Sequence, residues 1–291
     1  MFRGSIVALV TPMGESGEVD FGAFEALLDW HAEQGTDGVV VAGTTGEAAT
    51  LLAAEVEELL RRAVRRLGGR VPVIASTGTP STAITIERTR TACEVGVDGV
   101  LMVTPYYNRP AQAGMLQHFW AAAEASSVPV LLYNVPSRTA CDLLPETLEQ
   151  LAEHPRIVGI KDSTGDIGRA RAILERCGDD FLLFSGDDAT CREWLLAGAQ
   201  GVISVSANVA PRLMRELTEV ALEGDAPRAA ELERLLAELH RALFIESNPI
   251  PVKWALARLG LIHPGIRLPL TPLGPAGQLA VLRAMEQAGI T

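Results

Sequence analysis

Eight short apolar runs, separated by stretches of helical length, constrain this chain more than any other feature. They occupy residues 5–12, 38–43, 72–78, 99–105, 129–136, 157–161, 181–186 and 201–206. Each is rich in Val, Ile or Leu without polar alternation, the pattern of a parallel strand buried on both faces. Between them lie helical stretches such as 21–34, where Asp20 is placed to cap the first turn, and 52–67. Glycines in Val95-Gly96-Val97-Asp98-Gly99 and Ala197-Gly198-Ala199-Gln200-Gly201 stand where a helix must stop before the next strand. Eight such units with right-handed crossovers close into a (β/α)₈ TIM barrel of the α/β class. Beyond about Pro211 only helical patterns remain, with starts near Ala226, Pro249 and Leu273. The expected division is a catalytic barrel over residues 1–224 and a C-terminal helical region over 225–291.

Bulk properties narrow the function. The 291 residues are 48% hydrophobic and 21% charged, enough for one large core. A net charge of −11 argues against nucleic acid as a partner, because phosphate binding needs clustered cations. The arginines at 61, 62, 65, 66 and 70 follow Glu55, Glu57 and Glu58 and read as a solvated helix face. The N-terminus lacks the long apolar core and small-residue cleavage site of a signal peptide, and no apolar run reaches the ~20 residues of a membrane span. Cys93, Cys141, Cys177 and Cys191 are scattered without a C-x-x-C pair, as reduced thiols of a cytoplasmic protein would be.

In this architecture chemistry belongs at the C-terminal ends of the strands. Those ends read Thr11-Pro12; Gly43-Thr44-Thr45-Gly46-Glu47; Thr104-Pro105-Tyr106-Tyr107-Asn108; Tyr133-Asn134-Val135-Pro136-Ser137-Arg138-Thr139; Lys161-Asp162-Ser163; Ser185-Gly186-Asp187-Asp188; and Ser206-Ala207-Asn208. Polar groups therefore gather on one rim.

Lys161 is conspicuous. Among 25 basic residues only Lys161 and Lys253 are lysine, the rest arginine. Arginine stays protonated and cannot act as an amine nucleophile, whereas a desolvated lysine can. Lys161 follows Ile-Val-Gly-Ile at a strand end, a setting suited to attack on a carbonyl. The competing reading is an ion pair with Asp162 or Asp187. Lys253 falls in the helical tail and reads as structural.

The other rim residues fit such chemistry. Gly43-Thr44-Thr45-Gly46-Glu47 offers backbone N–H groups and two hydroxyls ahead of a helix, suited to a small carboxylate, though a tight turn with a helix cap has the same appearance. It lacks the Lys-Ser/Thr of a nucleotide-binding loop. Tyr133 can shuttle the protons that imine formation requires. Arg138 can clamp a carboxylate by its fork, or form a surface ion pair. A metal-dependent alternative would use Asp187 and Asp188, but none of the five histidines reaches a strand end, so no metal is expected.

Taken together, Gly43–Glu47, Thr104–Asn108, Tyr133–Thr139 and Ile160-Lys161-Asp162, with the tail Asn248-Pro249-Ile250-Pro251-Val252-Lys253-Trp254, closely resemble the dihydrodipicolinate synthase / N-acetylneuraminate lyase family over essentially the whole chain. The resemblance implies a class I aldolase mechanism with no cofactor beyond a covalent Lys161–pyruvate imine. It implies that Tyr133, Thr44 and Tyr107 form a proton relay, with Tyr107 contributed by a neighbouring subunit of a homotetramer. Thr45 would bind the pyruvate carboxylate, Gly186 and Ile203 would add backbone contacts, and Arg138 would hold the carboxylate of aspartate semialdehyde. The Ser-Arg-Thr after Tyr-Asn-Val-Pro resembles the synthases that make 4-hydroxy-tetrahydrodipicolinate for diaminopimelate and lysine. The alternatives are a sialic-acid lyase, a keto-deoxy sugar acid aldolase, or a silent ligand-binding barrel.

One departure concerns regulation. Lysine-inhibited members carry His, Asn and Glu in a cleft between subunits, where this chain has Ala53, Val56, Pro80 and Ile84, with Ala48 in place of a common Ser. Tyr106 is retained, but the polar partners for an amino acid's charges are missing, so lysine inhibition is expected to be absent.

Overall fold

The computed structural model describes residues 2–290. Eight parallel strands close on themselves in sequence order: β1 (Gly4–Ala8), β2 (Gly38–Val41), β3 (Val73–Ser76), β4 (Gly99–Val103), β5 (Val130–Asn134), β6 (Ile157–Asp162), β7 (Leu182–Ser185) and β8 (Gly201–Ser204). β8 returns to pair with β1 through Ile6 and Ile203. The expected (β/α)₈ TIM barrel is thus the observed fold.

The helices form the outer layer. They are α1 (Phe21–Glu33), α2 (Ala53–Leu67), α3 (Thr82–Val95), α4 (Gln112–Glu124), the single turn α5 (Pro136–Thr139), α6 (Pro145–Ala152), α7 (Ile167–Cys177), α8 (Cys191–Leu196) and α9 (Pro211–Leu222). Asp20 caps α1, its carboxylate accepting from the Ala23 N–H at 2.9 Å. Gly96 ends α3 in a left-handed conformation at φ +89°, open to glycine without the steric cost other residues meet.

Two apolar layers result because strand residues alternate. Ile6, Val40, Ile74, Leu131, Phe184 and Ile203 point inward and fill the barrel. Their neighbours, including Val7, Val39, Val41 and Leu132, point outward against the helices. The interior is a packed plug and not a pore, so ligands can enter only at its mouth.

After α9 come α10 (Ala226–Ala242), α11 (Ile250–Arg258) and α12 (Pro275–Gln287). α10 packs on α8 and α9, α12 packs on α10 and α11, and α11 reaches the short 3₁₀ turn Ser206–Asn208 after β8. Leu232, Leu236, Val252, Leu256 and Val281 join the same apolar layer as the barrel helices. The connections flanking α11 cross the barrel mouth, bringing Phe244, Asn248 and Leu270 to it.

Candidate active site

A cleft of about 720 Å³ opens at the C-terminal ends of the strands. Lys161, Tyr133, Thr44, Thr45, Arg138 and Gly186 all line it. Six residues from four separate strand ends and 142 positions of sequence (44 to 186) therefore converge on one space.

Lys161 sits near the end of β6, directly opposite Tyr133 on β5 in the strand register. Paired residues of neighbouring strands share a face, so both side chains enter the cleft together. Lys161 is only 6% exposed, and its Nζ lies 4.3 Å from the Tyr133 ring centroid. The ion-pair alternative fails for both acids. Asp162 points to the other face of the strand, where it accepts from Arg169 Nε at 2.8 Å and Asn134 Nδ2 at 2.9 Å. Asp187 turns into its own loop, accepting from the Ala189 N–H and the Thr190 hydroxyl. Among the described residues, no carboxylate lies within salt-bridge distance of Lys161 Nζ.

Gly186 borders the same amine for a steric reason. A Cβ built there would stand 2.8 Å from Lys161 Cε and 2.1 Å from Ser163 Oγ. The missing side chain leaves the channel through which Lys161 extends. Ser163 donates its hydroxyl to the Gly186 carbonyl at 3.0 Å, tying the ends of β6 and β7 together.

The Gly43–Glu47 segment lies ahead of a helix, as expected. Tight turns continue to Thr50, and α2 begins at Ala53, one residue from the expected start. Glu47 adopts a left-handed φ of +58° and is buried, held by Lys253 Nζ at 2.5 Å and the Arg267 N–H at 3.1 Å. Lys253 is accordingly structural. Burial pushes its pKa down, opposed by the Glu47 charge. Thr44 is half-buried, and Thr45 is fully buried with Asn248 Nδ2 donating to its hydroxyl at 2.9 Å.

Arg138 lies on α5, exposed to the cleft rather than ion-paired among the described residues. Its Nη2 donates to the Asn248 carbonyl at 3.3 Å. Neither Ile203 nor Tyr107 lines this chain's own cleft. The Ile203 side chain is in the barrel plug, fully buried below the cleft. Tyr107 does not line its own cleft: it is 94% exposed, with φ +69°. Tyr106 lines the cleft instead.

The metal alternative finds no donor set. Among the described residues, no three His, Cys, Asp or Glu side chains are grouped to hold an ion. Asp188 gives one oxygen to the N–H groups of Val205 and Ser206, fastening the end of β8. Sequence reasoning gave no role to Asn248, Arg169 or Ser163. Asn248 and Ser163 lay within noted segments, and Arg169 did not.

A model of the dihydrodipicolinate synthetase family matches residues 1–288. The chain belongs to this family. The 4-hydroxy-tetrahydrodipicolinate synthase of Alcanivorax borkumensis is 55% identical over 290 residues, covering 100% of this chain and 99% of the relative. The enzyme of that name from Pseudomonas aeruginosa is 52% identical with the same coverage. A crystal structure of chloride-inhibited dihydrodipicolinate synthase from Acinetobacter baumannii, complexed with pyruvate, superposes with a TM-score of 0.98 at 49% identity and full coverage of both chains. This dihydrodipicolinate synthetase family member has Lys161, Tyr133, Thr45 and Arg138 gathered at one mouth.

Proposed function

We propose that this chain condenses pyruvate with aspartate semialdehyde, through an imine on Lys161, to give 4-hydroxy-tetrahydrodipicolinate. The carrying observation is the placement of Lys161: buried, without a carboxylate partner among the described residues, and directly opposite Tyr133 at the mouth of the barrel.

Lys161 Nζ adds to the pyruvate keto carbon, and the resulting carbinolamine loses its oxygen as water to leave the imine. Each stage moves a proton at nitrogen or oxygen, and the Tyr133 hydroxyl is the nearby group able to carry it. Loss of a methyl proton turns the imine into an enamine. Its carbon attacks the aldehyde of the second substrate, and the new alkoxide takes up a proton. The amine of that substrate then displaces Lys161 as the ring closes, regenerating the enzyme.

The keto acid carboxylate is held at Thr45 and the turn around it, with Gly186 and the Ile203 backbone beside it. Arg138 takes the carboxylate of aspartate semialdehyde through its guanidinium fork. Tyr107, turned away from its own cleft, completes the hydroxyl chain with Thr44 of a neighbouring copy, in a homotetramer built from dimers. The covalent imine supplies the electron sink, so no cofactor or metal takes part. The protein works in the cytoplasm on small molecules, not on nucleic acid or membranes. No helix of the described residues is long and apolar enough to cross a membrane.

The test is a paired assay of the purified protein. Turnover of pyruvate with aspartate semialdehyde, and no cleavage of N-acetylneuraminate, is the expected result. The reverse pattern assigns the chain to the lyases, and inactivity on both leaves a silent barrel.

A further inference from the structure

We infer that Asn248, from the segment that crosses the barrel mouth, is a positioning residue that fixes the Thr45 hydroxyl as a hydrogen-bond donor toward the keto acid carboxylate. The inference rests on the proposed condensation and names a residue outside its reacting groups.

Asn248 reaches the cleft from 203 residues away in sequence. It is 6% exposed, and its Nδ2 donates to Thr45 Oγ1 at 2.9 Å. A threonine hydroxyl has one proton to give and lone pairs to accept with. The Asn248 amide occupies the accepting side. Among the described residues, Thr45 Oγ1 has no other hydrogen-bond partner. Its proton is therefore uncommitted, on a residue that lines the cleft. A carboxylate can only accept, so a hydroxyl whose lone pair is already engaged presents the complementary end. Donor chains of this kind also polarise one another in low dielectric.

A second observation shows that stability alone does not account for the amide. Among the described residues, nothing donates to the buried Asn248 Oδ1. A buried oxygen left without a partner opposes folding. A side chain that offers one useful end and one costly end is poorly explained by folding, and well explained by what its donor end does. The Asn248 main chain meanwhile accepts from Arg138 at 3.3 Å. The amide and the backbone carbonyl of one residue thus touch the two groups assigned to the two substrate carboxylates. Only the Thr45 contact depends on the side chain.

The experiment compares the full chain with Asn248→Asp, Asn248→Ala, Thr45→Val and the Thr45→Val/Asn248→Ala double variant. Borohydride trapping across a pyruvate series gives the half-saturating concentration, and steady-state assays give kcat and the KM for aspartate semialdehyde. Asn248→Asp keeps the shape but can only accept, so it captures the Thr45 proton. The expected result is a rise of threefold or more in half-saturating pyruvate for Asn248→Asp and Asn248→Ala. The kcat at saturating pyruvate and the KM for aspartate semialdehyde should stay within twofold, a split that general loosening of the fold would not produce. The double variant should be no worse than Thr45→Val, because the amide acts only through that hydroxyl. A smaller rise, additive effects, or an equal loss in both substrates overturns the inference. Absence of any trapped adduct in the unsubstituted protein would instead overturn the imine reading on which it rests.

Discussion

Lys161 and Tyr133 face each other across the β5–β6 pairing, with the lysine nitrogen 4.3 Å from the centre of the tyrosine ring. The contact comes from strand register, not from a flexible loop. Neither residue can leave it without breaking the barrel wall, which pre-organises the pair for the proposed proton transfer.

Tyr133→Phe keeps the ring beside Lys161 and removes only the hydroxyl. General acid–base groups contribute roughly 10²–10⁴-fold. The variant should therefore lose about a hundredfold or more in kcat, with unchanged thermal stability and with the pyruvate imine still trapped on long incubation. Stopped-flow imine formation and a melting curve check it. A kcat within tenfold of the parent would remove Tyr133 from the relay.

Gly186→Ala should damage catalysis without unfolding the chain. The added Cβ strikes Ser163 Oγ and Lys161 Cε, both side-chain atoms that can shift. A displacement of about 1 Å in a reacting group can cost ~10²-fold in rate. A loss of that size in kcat/KM, with a native circular dichroism spectrum, is the expected outcome.

His31 makes the fold sensitive to acid at a distance from the cleft. Its Nδ1 bonds Thr36 Oγ1 at 2.9 Å, while its Nε2 is buried without a partner. Burial lowers its pKa from 6.5 to about 3. The unfolded chain therefore binds a proton between pH 6.5 and about 3 that the folded chain refuses. Its stabilising contribution is complete above pH 6.5 and is lost as pH falls toward the folded value. In denaturant titrations, the stability gap between the parent and His31→Gln should narrow by about 1.4 kcal/mol per pH unit below about pH 6. A gap that does not change with pH would show that His31 is not held neutral.

Lysine should not inhibit. Ala53 and Val56 stand in the first turn of α2, Ile84 near the start of α3, and Pro80 just before it. None carries a group to pair an ammonium or carboxylate, and the Pro80 carbonyl is already taken by Asn108 Nδ2 at 3.0 Å. Activity in millimolar lysine should match activity without it. Half-inhibition at sub-millimolar lysine would contradict this.

The barrel was legible because parallel strands buried on both faces leave unbroken apolar runs, and each of the eight runs overlaps a strand. Their ends were not. Residues 9–12, 104–105 and 135–136 continue the apolar pattern after the strands have stopped, because they pack beneath the loops of the mouth. Lys161 could be found from its place at a strand end and from the scarcity of lysine. The Glu47–Lys253 pair joins residues 206 positions apart and left no trace in the sequence pattern. The bonds of Asn248 to Thr45 and of Arg169 to Asp162 were equally invisible. Hydrophobic period reports which face of an element is buried, not which polar side chains meet there.

The most direct test of the account is to treat the protein with pyruvate and borohydride, digest it, and locate the reduced pyruvyl group by mass spectrometry. The account predicts one modified residue, Lys161, and no modification in Lys161→Ala. Modification of Lys253 instead, or an unmodified chain at saturating pyruvate, would contradict it.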